Sequence, residues 1–175
     1  MGGCLFRRFL RAVKKRGDGV GRTKIGKGSK VMLVADGNGL PIGLLCESAQ
    51  PHEVSLASST MATVAIKKQK RGRARTRMTE LVADKGFDSA AFRRELTGRG
   101  IKTCIPQRKY KRRRKRGQPP RFSAASYAER WRVERCFAWF DNCRRLVVRY
   151  ERGLHRYKAF CVLACIMLCV NRILK

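Results

Sequence analysis

Apolar residues fall into short runs separated by polar, strongly basic stretches, and a helical period emerges only in the last third of the chain. Two apolar runs, 31–35 and 40–46, flank Asp36-Gly37-Asn38-Gly39, which predicts a hairpin with Asp36 in its turn. Pro51-His52-Glu53 opens a helix expected to reach about residue 65. Residues 80–83 predict a short buried strand that stops at Asp84. Lys85-Gly86-Phe87 then turns the chain, and Asp88-Ser89 can cap a helix running to Gly98 or Gly100. Residues 101–106 predict another strand. Helical spacing follows over 123–145, then a β-prone link over 146–150 and a last helix over 155–174. Residues 1–13 mix Phe6, Phe9 and Leu10 with arginines and show no clear period.

The order hairpin, helix, strand, helix, strand, helices predicts one α/β domain built on a mixed sheet. A ligand site belongs at the carboxyl ends of the parallel strands, and Asp84 stands at one. Three basic stretches, 14–30, 67–77 and 107–121, read as loops, and nine of the fifteen residues in the last are Lys or Arg.

Charge sharpens this picture. The chain carries 42 Lys and Arg against 12 Asp and Glu, a net charge of +30. A surface this basic calls for a polyanion, most often nucleic acid. Lys67, Lys68, Lys70 and Arg71 in the second stretch, with Arg108, Lys109, Lys111, Arg112, Arg113, Arg114, Lys115 and Arg116 in the third, are the expected phosphate contacts. An apolar fraction of 43% allows a core and excludes a purely disordered tail. The eight cysteines form no C-x-x-C pair and are accompanied by only two His, which argues against a zinc site or a disulfide framework. Cys161, Cys165 and Cys169 recur every fourth residue, the pattern of small hydrophobes on a buried helix face. No secretory signal is evident, and the longest apolar run, 159–170, has 12 residues where a bilayer span needs about 20. A soluble cytoplasmic protein without a membrane partner is expected.

Acids are scarce enough for each to be informative. Asp36 and Asp88 have local reasons to exist, and Glu95, Glu129 and Glu151 lie among arginines as candidate surface ion pairs. Asp84 follows a buried strand, where a solvated turn is the plain reading and a site the sharper one. Tyr127, Arg130 and Glu134, spaced three and four apart, share one helical face. Glu134 borders the apolar face of Val133, Phe137 and Phe140, although an Arg130–Glu134 surface pair would explain it too. An acid at a strand end and another on a later helix, in so basic a chain, together suggest phosphoryl transfer on nucleic acid. The competing class is a non-catalytic basic protein that binds RNA or associates with the ribosome.

The segments K-K-R-G-D-G-V-G-R-T-K-I-G-K-G-S-K, V-A-D-G-N-G-L-P-I-G, S-A-Q-P-H-E-V, V-A-D-K-G-F-D-S and R-W-R-V-E-R-C-F-A-W-F-D-N-C-R-R-L-V-V-R-Y-E occur in the order seen in bacterial insertion-sequence transposases. From about residue 14 onward the chain resembles the DDE catalytic domain of the IS-four and IS-five type. The resemblance implies a ribonuclease-H-like fold, Mg²⁺ or Mn²⁺ as cofactor, and DNA at insertion-sequence ends as partner. It also implies a homo-oligomer on DNA and a bacterial cytoplasmic location. Asp84 matches the second Asp of the triad and Glu134 its Glu, as catalytic and metal-holding residues. Tyr127 and Arg130 complete the Y-x-x-R-x-x-x-E signature and would contact DNA. The Lys that follows in some relatives falls at Asp141, leaving Arg144 and Arg145 to supply positive charge.

The first Asp of the triad should stand around positions 5–10, which here read Leu5, Phe6, Arg7, Arg8, Phe9 and Leu10. The first acid in the chain is Asp18. The expectation is therefore an atypical segment over 1–13 and the C-terminal part of a catalytic domain over 14–175. Its first catalytic strand would be incomplete or missing, as in an N-terminally truncated transposase that binds DNA without cleaving it.

Overall fold

The computed structural model describes residues 4–24, 26–66, 71–108 and 120–174. The segment without a readable period forms the central strand, β1 (Cys4–Val13). Cys4 and Phe6 enter one core cluster while Leu5 belongs to the other, with Phe9 packed against it. A strand buried on both faces has no reason to alternate, which is why its sequence conceals it. The first strand is thus present, and what it lacks is a carboxylate.

Three antiparallel strands lie to one side: β2 (Gly21–Thr23), β3 (Gly26–Ala35) and β4 (Pro41–Ser48). β3 pairs with β1 (Phe6 opposite Val34) and on its other edge with β4 and β2. The hairpin between β3 and β4 is the expected one. Asp36 Oδ1 accepts from the amides of Asn38 and Leu40, and Gly39 takes the positive φ of 81° that the turn requires. The stretch 14–30, expected to be a loop, instead contains β2 and the start of β3.

On the other side of β1 run two parallel strands, β5 (Glu80–Ala83) and then β6 (Lys102–Cys104). The two-residue β7 (Val148–Arg149) pairs in parallel with the far end of β1. Helices α1 (Glu53–Ala62) and α2 (Ala90–Gly98) cover one face through Leu56, Ala57, Met61, Phe92 and Leu96. The other face is covered by α4 (Trp131–Asp141) and α6 (Leu154–Ile173).

The single helix expected over 123–145 is three pieces: α3 (Ala124–Ala128), α4, and α5 (Arg144–Val147). Extended backbone at Cys143 ends the run, buries Leu146 and returns the chain to the sheet as β7. There Arg149, fully buried, donates to the carbonyls of Asp18, Gly19, Glu151 and Arg152 and to Ser29 Oγ. Asp18 in turn accepts from the amide of Leu154 at the start of α6.

All eight cysteines are free thiols. Cys161 is buried, whereas Cys165 and Cys169 are only half-buried. α6 is long and apolar enough to cross a bilayer by length and composition. It is seated on the domain by Tyr157, Cys161 and Ala164, and its outer face, including Leu163, Met167 and Ile173, is exposed.

Candidate active site at the junction of β1, β5 and α4

β5 is a four-residue strand, and the chain leaves it in a 3₁₀ turn (Lys85–Phe87) capped by Asp84. Asp84 Oδ1 accepts from Gly86 N at 2.6 Å, and Phe87 anchors the turn edge-on against Phe6 at 4.7 Å. A Cβ at Gly86 would lie 2.7 Å from Asp84 Oδ1 and 3.5 Å from Glu53 Oε2, so a side chain there would collide with the cap. Arg108 spans the turn, donating to the carbonyls of Lys85 and Gly86 at 3.1 Å while its amide donates to Asp88 Oδ2. Asp88 also pairs with Arg93 at 2.9 Å. Arg108, expected on DNA, is here engaged with the backbone that carries Asp84.

Glu134 lies in the first turn of α4 and pairs with Arg130 at 3.0 Å; Arg130 lies over the ring of Tyr127 at 5.2 Å. The three signature residues are thus together. Glu134 has a second partner that spacing could not show, the guanidinium of Arg7. β1 and β5 pair as far as Phe6 opposite Ala83, and Arg7 and Asp84 are the next residue of each. Along the same seam Phe9 stacks on Phe137 at 5.3 Å, and Arg11 pairs with Asp141 at 2.5 Å. The signature position expected to hold Lys is therefore an acid matched to a buried arginine of β1. Of the two arginines beside it, Arg145 pairs with Glu151 at 3.0 Å. The Glu151 side chain is only 7% exposed, more enclosed than a surface pair.

A second acid, suggested by the sequence only as a helix opener, pairs with the next arginine of β1, and its Oε2 reaches towards the Asp84 turn at Gly86. Glu53 pairs with Arg8 at 2.5 Å and lies 3.8 Å from Lys30 Nζ. Lys30 is buried and also donates to the Pro51 carbonyl. Burial lowers its pKa from the ordinary 10.5, with Glu53 opposing the shift.

A divalent ion held as the resemblance implies needs several free carboxylate oxygens. Glu134 is shared by two guanidiniums and Asp84 Oδ1 caps a backbone amide. Among the described residues no three His, Cys, Asp or Glu are grouped to hold a metal. Asp18 and Asp36 are engaged elsewhere, at the start of α6 and in the hairpin turn. The described residues do not fit the ion. Lys67, Lys68, Lys70, Lys109, Lys111, Arg112, Arg113, Arg114, Lys115 and Arg116 lie outside the described residues; Arg71 is exposed.

Asp84 follows a short parallel strand and Glu134 opens a helix on one face of the same mixed sheet, which makes this an α/β domain with an acid at a strand end and another on a covering helix. The Transposase DDE domain family matches residues 8–169, and the chain belongs to that family. It is 34% identical over 144 residues to the protein assigned as the transposase of insertion sequence element IS402 from Burkholderia cepacia, an alignment covering 82% of this chain. The chain spans 64% of the length of that curated relative. Its fold is similar to that of piggyBac transposase in a synaptic complex with hairpin DNA, with a TM-score of 0.56 at 11% identity. That likeness covers 94% of this chain and 45% of the other. The ribonuclease-H-like mixed α/β fold expected from the sequence is the one observed.

Proposed function

We propose that this chain is the DNA-engaging domain of an insertion-sequence transposase in the bacterial cytoplasm. On this reading it binds element ends as a homo-oligomer but does not cut or join DNA. Membership of the transposase family supports the DNA partner, and the net charge of +30 supports backbone binding. The observation that carries the second half is Arg7 paired with Glu134, on a strand whose pairing with β5 ends one residue before Asp84. Tyr127 and Arg130 lie beside Glu134, and the basic stretches 67–77 and 107–121 supply the remaining phosphate contacts.

The test is fluorescence anisotropy on a labelled duplex carrying an element end, with strand cleavage read on the same samples. Binding is expected with Mg²⁺ or with EDTA, with log Kd rising by about 0.9 per phosphate contact for each log unit of salt. Deleting residues 109–116, which spares Arg108 and its hold on the Asp84 turn, should flatten that slope. Mg²⁺-dependent cleavage abolished by Asp84→Ala would overturn the inactive assignment. A slope unchanged by the deletion would remove that stretch from the interface.

A further inference from the structure

We propose that Arg7 is a built-in cation that closes this site to divalent metal ions, so that β1 and α4 meet in a charge-paired seam where a metal centre would otherwise be. The inference rests on reading Asp84 and Glu134 as the acids of the site.

The seam is matched at three levels. Arg7, Phe9 and Arg11 are alternate residues of one strand and project to one face. Glu134, Phe137 and Asp141 are spaced three and four apart on one stripe of α4. Arg7 meets Glu134, Phe9 stacks on Phe137, and Arg11 meets Asp141. Four strand residues rise about 13 Å and seven helical residues about 10.5 Å, so the two rows run nearly in step. A site that had merely lost one acid would leave its remaining acids facing water. Here each acid of α4 on this stripe has an arginine of β1.

Guanidinium charge cannot be titrated away at any pH the fold survives. Both guanidiniums contact Oε1, so a divalent ion that binds Glu134 must sit beside two fixed positive charges. Arg7 and Asp84 each follow the last paired residues of β1 and β5, Phe6 and Ala83, which brings the same positive charge to the strand ends that carry Asp84. The Arg7 and Glu134 side chains are 30% and 37% exposed. The seam is therefore accessible to ions, and charge rather than burial is what excludes them.

The experiment titrates Mn²⁺ into the full chain and reads free Mn²⁺ by electron paramagnetic resonance, with circular dichroism confirming the fold of each variant. The unaltered chain should show no saturable site. Arg7→Asp should gain one site, with affinity about tenfold or more above background, and lose it again when combined with Asp84→Asn. Arg94→Asp changes net charge equally on an exposed part of α2 and should behave like the unaltered chain. If Arg7→Asp does not fold, Arg7→Met is read instead and should bind Mn²⁺ several-fold better than the unaltered chain. One Mn²⁺ bound by the unaltered chain and released by Asp84→Asn would overturn the proposal. So would a folded Arg7→Asp, or in its place Arg7→Met, that binds no better than Arg94→Asp. DNA binding in EDTA is measured separately: its absence would sink the proposed function and leave the metal result standing.

Discussion

Arg7 and Arg8 are neighbours on one strand, point to opposite faces of the sheet and each neutralise an acid, yet the two pairs differ in kind. On the α1 face, Glu53 is 13% exposed and its second partner, Lys30, is buried at 4%. On the α4 face, Glu134 and both of its arginines are about one-third exposed. The first arrangement encloses charge where water cannot solvate it, so its members depend on one another. The second is partly open to solvent, where water screens the pair and little stability depends on it. Similar ion-pair chemistry is thus structural on one face and available to a ligand on the other.

Truncating the two acids separates these roles most strongly. Glu53→Ala leaves the buried Lys30 ammonium with the Pro51 carbonyl and no counter-charge, and should cost about 2–4 kcal/mol of folding stability. Glu134→Ala removes a half-exposed partner from two solvated arginines and should cost no more than about 1 kcal/mol. Urea denaturation of both variants reads the difference. Equal losses would mean that the two faces are not distinguished by burial.

Asp141→Ala should fall between them. Asp141 itself is 45% exposed, but its partner Arg11 is buried and already has Nη2 without a hydrogen-bond partner. Removing the acid strands most of that guanidinium, at a cost of about 1–3 kcal/mol. Restoring most of the loss with Asp141→Asn would show that the hydrogen bond matters more than the charge. A loss below that of Glu134→Ala would show that the seam carries no load at this end.

The contrast also explains what the sequence could reveal. The hairpin around Asp36 was legible because turn chemistry is local, and β5 ending at Asp84 because its apolar run is short and bounded. The Arg130–Glu134 pair was legible because helical spacing brings residues four apart together. β1 was not: its first residues are buried on both faces, so it shows no period, and arginines at 7, 8 and 11 read as surface charge. Their partners Glu134, Glu53 and Asp141 are distant in sequence, and only the sheet register and helix docking bring them together. The same blindness hid β2, whose Gly-rich, basic sequence pairs at the edge of the sheet.

The smallest effect concerns proton linkage at the enclosed face. Burial lowers the Lys30 pKa below 10.5, its value in an unfolded chain; Glu53 opposes the shift and Arg8 adds to it. Between the lowered value and 10.5 the unfolded chain binds more protons at this residue than the folded one, so its contribution to stability rises with pH across that window. Buried thiols act in the opposite sense. Burial pushes Cys4 and Cys136 up from 9.0 to about 11, so the stability they contribute is complete below pH 9 and lost as pH climbs towards 11. The Lys30 contribution is therefore read as a difference, between the unaltered chain and Lys30→Met, in which the thiol effects cancel. That difference should shift in favour of the unaltered chain between pH 8 and pH 10.5 in urea titrations. A shift the other way would mean that Glu53 outweighs desolvation and that the enclosed pair stabilises the ammonium outright. The charge on this face would then be better solvated by its partners than the burial of Lys30 implies.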